Sequence, residues 1–278
     1  MTENEINALI SLLDDDDKEV LSIVHAKLLT VPNTAIPLMA KRLEEPNLEE
    51  NLQQKIEELI HTLRYNTVFE RLSAWKNSGA VDLLEGLWLV ALYQYPDLKL
   101  EDLRSQIKQF KLEAWLDFRE NQHPYDQIKI LNHTFFNKLN FIANTKQFHA
   151  IENSMVNQIL ELRASNPIGL CCIYMIIAQE LGLPIYGVNL PNVFVLTYKQ
   201  PNLQFYINVF GKGVILSRHE LELHVKQLKI ESQDAFFEPC SNLTIIRRLL
   251  RNLIISFEKA NNKDSAEQTE RILKAMIG

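Results

Sequence analysis

The chain has 278 residues, of which 46% are hydrophobic and 23% charged, with only 8 Gly. That is the composition of a folded, helix-rich protein large enough for two or three packed subregions. A net charge of −6 argues against a general nucleic-acid or anionic-membrane binder, which needs a basic face.

The opening, MTENEINALISLLDDDD, carries acids where a secretory signal carries bases. No apolar run approaches the ~18 residues of a membrane span, so neither export nor anchoring is expected. Three amphipathic faces follow: Ile6, Leu9, Ile10, Leu12 and Leu13; then Val20, Ile23, Val24, Leu28 and Leu29; then Ile36, Leu38, Met39 and Leu43. The acidic run 14–17 invites a divalent-cation reading. It lacks the glycine turn and bidentate glutamate of a calcium loop, and capping of the next helix is the simpler account. Helix, aspartate-rich turn, helix and an Ala-Ile-Pro start resemble a HEAT-type repeat. A further helix over 48–63, with Leu52, Ile56, Leu59, Ile60 and Leu63, covers its open face. We assign 1–65 to this HEAT-like region.

Residues 66–123 form a helical connector rich in aromatics: Trp75, Trp88, Tyr93, Tyr95, Phe110, Trp115 and Phe118. They could build a ligand cage or a docking face, but spacing such as Leu83, Leu84, Leu87, Trp88 and Ala91 predicts packing, leaving Trp75 and Trp115 as the ones to watch. Pro96 and Pro124 mark breaks, the second at the start of the helix that opens the core, 124–230.

Within that core, 168–177 is apolar or small throughout, so its helix must be buried. Short β-branched and aromatic runs follow, Ile185-Tyr186-Gly187-Val188 and Val193-Phe194-Val195-Leu196-Thr197-Tyr198, broken by Asn189, Pro191 and Asn192. Those read as antiparallel strands.

The segment NPIGL…LGLP.YGVNLP..F.L.Y over 166–198 resembles the transglutaminase-like core of the bacterial SirB family, which typically reads NPISL, LGLP and PGHF. Leu131-Asn132, Phe135-Phe136, Phe141 and Asn153-Ser154 resemble its lead-in. Phe205-Tyr206-Ile207-Asn208-Val209-Phe210-Gly211 and Leu216-Ser217 resemble its FIDPFNGG…LS segment, so the likeness runs over 131–223. The resemblance implies a Cys-His-Asp triad, in which a thiolate needs a base and the base an orienting acceptor. It places the nucleophile near 167–169, where many relatives have Ser and this chain has Gly169; the His becomes Val193 and the Asp becomes Asn208. A fallback nucleophile is Cys171 or Cys172, with His133 or His149 as base. Both thiols lie beyond the first helical turn among apolar neighbours and read as core. Asn166, Asn192 and Asn208 are candidate neutral contacts in an inherited cleft.

After the sheet, 217–228 reads as a helix with Ser217 as N-cap and Glu220 completing a capping box. His219 and His224 on it are not at metal-binding spacing. No metal or cofactor is expected. The three cysteines, Cys171, Cys172 and Cys240, form neither a disulfide framework nor a CxxC site, which fits a reducing cytoplasm. Two amphipathic helices, 242–259 and 263–276, end the chain around Asn261-Asn262 and resemble a tetratricopeptide-like tail over 231–278. Arg247, Arg248 and Arg251 there read as a solvated face.

The expected fold is α+β and mostly helical: HEAT-like N-terminal helices, a transglutaminase-like core with a buried helix against a small antiparallel sheet, and a C-terminal helical hairpin. The expected function is that of an inactive transglutaminase-like protein serving as a cytoplasmic protein-interaction or regulatory module, with a protein or peptide partner and neither nucleic acid nor membrane. The alternatives are a cysteine amidase, peptidase or acyl-transfer enzyme, and a purely architectural helical protein without a cleft.

Overall fold

The computed structural model describes residues 1–46, 48–119 and 122–277. It divides into two compact units, Met1–Arg71 and Leu72–Gly278.

In the first unit, α1 (Glu3–Ser11), α2 (Lys18–Leu29), α3 (Pro32–Leu43) and the first part of α4 (Glu50–Asn77) close around Ile6, Ile10, Leu28, Met39, Ile56 and Leu63. Helix α1 starts on a capping box, in which the Glu5 N–H donates to Thr2 Oγ1 at 3.3 Å and the Thr2 N–H to the Glu5 carboxylate at 2.7 Å. The acidic run is a cap as well. Asp17 Oδ1 accepts from the Glu19 N–H at 2.8 Å, and Asp15 Oδ1 accepts from the Asp17 N–H at 2.8 Å. The expected helix end near Leu63 does not occur. Val68, Leu72 and Trp75 continue the buried spacing, no Gly or Pro interrupts it, and α4 runs 28 residues.

The second unit begins at the end of α4. Helices α5 (Leu83–Ala91), α6 (Leu100–Trp115) and α7 (Pro124–Asn132) lead into a π-helical turn, His133–Lys138. Aromatic packing explains most of this region. The Trp75 indole N–H donates to the Asp82 carbonyl at 2.9 Å and that of Trp88 to Leu98 at 2.7 Å, while Trp115 is 60% exposed.

Strand β1 (Ile142–Ala143) pairs in parallel with β2 (Ala164–Ser165), and α8 (Val156–Leu162) lies between them in sequence. Helix α9 (Pro167–Glu180) is buried at every residue from Ile168 to Ala178. It packs against α5, α6, α8 and strands β3 (Ile185–Asn189) and β4 (Phe194–Gln200). With β5 (Leu203–Asn208) and β6 (Val214–Leu216) these form an antiparallel meander, β3-β4-β5-β6, with Val188 opposite Val195 and Leu196 opposite Ile207. Leu221 and Val225 of α10 (Arg218–Gln227), with Phe237, cover Val188, Val195 and Tyr206 of the sheet. Strand β4 is therefore buried on both faces, which is why Phe194 to Tyr198 does not alternate; the polar residue in that run, Thr197, donates its hydroxyl to the Phe205 carbonyl at 3.0 Å.

Helices α11 (Asn242–Lys259) and α12 (Lys263–Ile277) form the expected hairpin, turning at Asn261 in the left-handed region. The arginine face is not simply solvated. Arg247 Nε donates to the Met276 carbonyl at 2.8 Å, and Lys76 Nζ donates to Ala275 at 2.8 Å. Two cations thus satisfy the open carbonyls at the end of α12. Among the described residues no helix is long and apolar enough to cross a membrane.

Candidate functional site

The start of α9 is fixed by local chemistry. Asn166 is the N-cap, its Oδ1 accepting from the Gly169 N–H at 3.1 Å, and Pro167 occupies the first helical position, where its missing N–H is not needed. Gly169 is then the point of closest approach. A Cβ there would stand 2.0 Å from Ser165 Oγ and 2.8 Å from the Asn153 carbonyl oxygen. Ser165 Oγ donates to that same carbonyl at 2.8 Å. The space that a nucleophilic side chain at 169 requires is therefore occupied by a hydroxyl that is itself satisfied. Asn153 completes the plug: its Nδ2 donates to the carbonyls of Gln147 at 2.7 Å and Phe148 at 3.1 Å, and its Oδ1 accepts from Asn144 Nδ2 at 3.1 Å. Ser165 and Asn153 are fully buried.

The other two positions of the triad pattern are separated from this plug by their own tasks. Val193 packs against the apolar cluster of Val188, Val195, Leu221 and Phe237. Asn208 shapes the β5–β6 turn: its Oδ1 accepts from the Gly211 N–H at 3.0 Å, and its carbonyl accepts from Gly213 N–H at 2.8 Å. Asn192 is exposed in the left-handed region between β3 and β4. Asn166, Asn192 and Asn208 thus serve three separate stretches of backbone.

Cys171 and Cys172 are wholly buried on α9. The Cys171 thiol donates to the Phe194 carbonyl at 3.8 Å. Burial, reinforced by the neighbouring Cys172, pushes the Cys171 thiol well above its ordinary range; burial, with Cys240 adding to it, does the same to Cys172. Cys240 is pushed up to about 11, again by burial. The two histidines considered as bases sit elsewhere, each in the wall of a surface pocket. His149 shares a pocket of about 660 Å³ with Lys146, Phe148 and Glu152. His133 shares another, of about 570 Å³, with Phe136, Phe141, Ile142, Phe210 and Lys212. His219 is exposed, and among the described residues no three His, Cys, Asp or Glu side chains group around a possible metal position.

The second pocket rests on a polar hinge that spacing alone does not reveal. Asn132 Oδ1 accepts from the buried Tyr174 hydroxyl at 2.8 Å, and its Nδ2 donates to the Gly213 carbonyl at 2.9 Å. Gly213, at φ +73°, has no room for a Cβ, which would lie 2.0 Å from Asn132 Oδ1. One side chain thereby ties α7, α9 and the β5–β6 turn together. Ser165 has no sequence motif of its own; the signal available for it is a glycine in a helical first turn, where an ordinary helix end leaves room for any side chain.

The family model described as the transglutaminase-like superfamily matches residues 101–251, from α6 to α11. The chain is 29% identical over 226 residues to a UPF0162 protein of Xylella fastidiosa, covering 73% of this chain and 76% of that protein. It is 24% identical over 195 residues to the UPF0162 protein YchA of Escherichia coli K12, covering 69% and 72%. It is 23% identical over 248 residues to F-box only protein 21 of Homo sapiens, covering 78% of this chain and 38% of that protein. No solved structure matches the chain. With more than half of its length matched, and a buried helix laid against an antiparallel sheet, the chain belongs to the transglutaminase-like superfamily.

Proposed function

We propose that this protein is a catalytically inactive transglutaminase-like protein that works in the cytoplasm as an interaction or regulatory module. The observation that carries the reading is the Ser165 hydroxyl, which stands where a side chain at 169 would have to be. An inactive site can arise by losing a nucleophile and keeping the space. Here the space is lost too, and Val193 and Asn208 have taken up packing and turn formation. The SirB-type placement within the superfamily, the HEAT-like front end and the tetratricopeptide-like tail belong to the same reading, which makes the flanking helices support for the core.

A cysteine enzyme built on Cys171 or Cys172 is the competing reading. It needs a thiolate, and burial disfavours that ion at both positions. A purely architectural role shares the plugged position; the open pocket beside Asn132 is what favours a binding role over it. The test is turnover. Full-length protein is incubated with γ-glutamyl amide, peptide and thioester substrates while ammonia, new amine and free thiol are followed. No release above the Cys171→Ser and Cys172→Ser variants is expected; release that either variant abolishes contradicts the proposal.

A further inference from the structure

Helix α6 carries a second apolar stripe that its own core does not use. Leu103, Ile107, Phe110 and Ala114 are its buried side. On the opposite side, over the last two turns, Leu112 is 56% exposed, Trp115 60% and the C-cap residue Leu116 63%. Their i, i+3, i+4 spacing makes them one contiguous surface. A single exposed apolar side chain is ordinary; three large ones side by side, a tryptophan among them, mark a contact surface.

The charges around the stripe point to what covers it. Arg104 pairs with Asp82 at 2.8 Å, Lys111 with Glu180 at 3.6 Å, and Asp117, just past the helix, with Lys138 at 2.7 Å. Lys108 and Glu113 are exposed, and among the described residues neither has an ion pair. On a helix of 3.6 residues per turn they fall on opposite flanks of the stripe. With Leu112 and Leu116 at the d and a positions of a heptad, Lys108 takes g and Glu113 takes e. In a parallel helix pair, the g residue of one helix meets the next e residue of the other. An antiparallel pair brings like flanks together and sets lysine against lysine. The stripe is therefore complementary to itself about a two-fold axis along the helix.

We propose that this surface binds a second copy of this chain, with the two α6 helices parallel. Leu112, Trp115 and Leu116 of each copy cover those of the other, and Lys108 of each faces Glu113 of its partner. Two helical turns make a contact smaller than the roughly 800 Å² per partner of a standard interface, so the dimer is weak and forms in the range of roughly tens to hundreds of micromolar. The proposal goes beyond the reading of the core and does not depend on whether that core is inactive.

The experiment is sedimentation equilibrium of the full-length protein from about 5 to about 500 µM at low salt, where the mean mass is expected to rise from that of one chain toward that of two. Replacing both Leu112→Ser and Trp115→Ser is expected to weaken association by about tenfold or more, with an unchanged circular dichroism spectrum because both side chains are exposed. Lys108→Glu alone is expected to weaken it about threefold or more, and adding Glu113→Lys to restore it, since the swapped charges attract again. A monomer at every concentration overturns the proposal and leaves the stripe to a different protein. Association untouched by the Leu112 and Trp115 changes, or indifferent to Lys108→Glu, overturns it as well, as does a double charge variant no stronger than the single one.

Discussion

Two places in the second unit lie at opposite ends of the same helix-to-sheet arrangement's fate. At the start of α9 the polar groups face one another: Ser165, Asn153 and Asn144 satisfy each other and leave no space. At the β5–β6 turn Asn132 holds the turn from behind, and His133 and Lys212 line an open pocket. The difference teaches that a fold can close one site while a neighbouring concavity stays available. Hydrogen bonds are satisfied at both places, through Ser165 and Asn153 at one and Asn132 and Asn208 at the other; what separates the two is whether the bonded groups fill the space.

The largest expected effect is at the plug. Gly169→Ala forces a methyl against Ser165 Oγ and the Asn153 carbonyl, and overpacking a tight core costs about 1–3 kcal/mol. Urea denaturation should show this loss, and adding Ser165→Gly should return part of it by removing the nearer obstacle. Equal losses in the single and double variants would show that Ser165 is not what fills the space.

The pocket's hinge comes next. Asn132→Ala strands the buried Tyr174 hydroxyl and the Gly213 carbonyl, at about 1–3 kcal/mol for a buried group left unpaired. Hydrogen exchange should rise in the β5–β6 turn while the start of α9 stays protected. Exchange rising equally at both would mean that the two regions are one cooperative unit.

At the rim the sign reverses. Lys212→Gly relieves a left-handed lysine and should be neutral or stabilising by up to about 1 kcal/mol in thermal unfolding. A clear loss of stability would mean that the Lys212 side chain packs.

Much of the frame is legible in the sequence because it is written in local patterns. The all-apolar run of α9, the Ser217–Glu220 capping box and the Asn261 turn each follow from residues within a few positions of one another. The resemblance likewise supplies the expectation that Gly169, Val193 and Asn208 stand at triad positions. What the sequence hides depends on partners far along the chain. Ser165 meets Asn153 across 12 positions, Asn132 meets Tyr174 across 42, and Arg247 finds Met276 across 29. No period marks such pairs. The continuation of α4 to Asn77 was missed for a different reason: residues 64–67 carry no buried apolar side chain, and a gap in the stripe reads as a helix end although the backbone has nothing to break it.

The central claim, that α9 carries no reactive nucleophile, is tested most directly by alkylating the native protein with iodoacetamide and resolving Cys171 and Cys172 by mass spectrometry at several pH values, with unfolded protein as control. Because both thiols are held neutral by burial, the account predicts negligible modification of either while the protein is folded, and ordinary rates, rising around a thiol pKa of about 8.5, once it is unfolded. Rapid modification of one thiol in the folded protein well below that pH would contradict it.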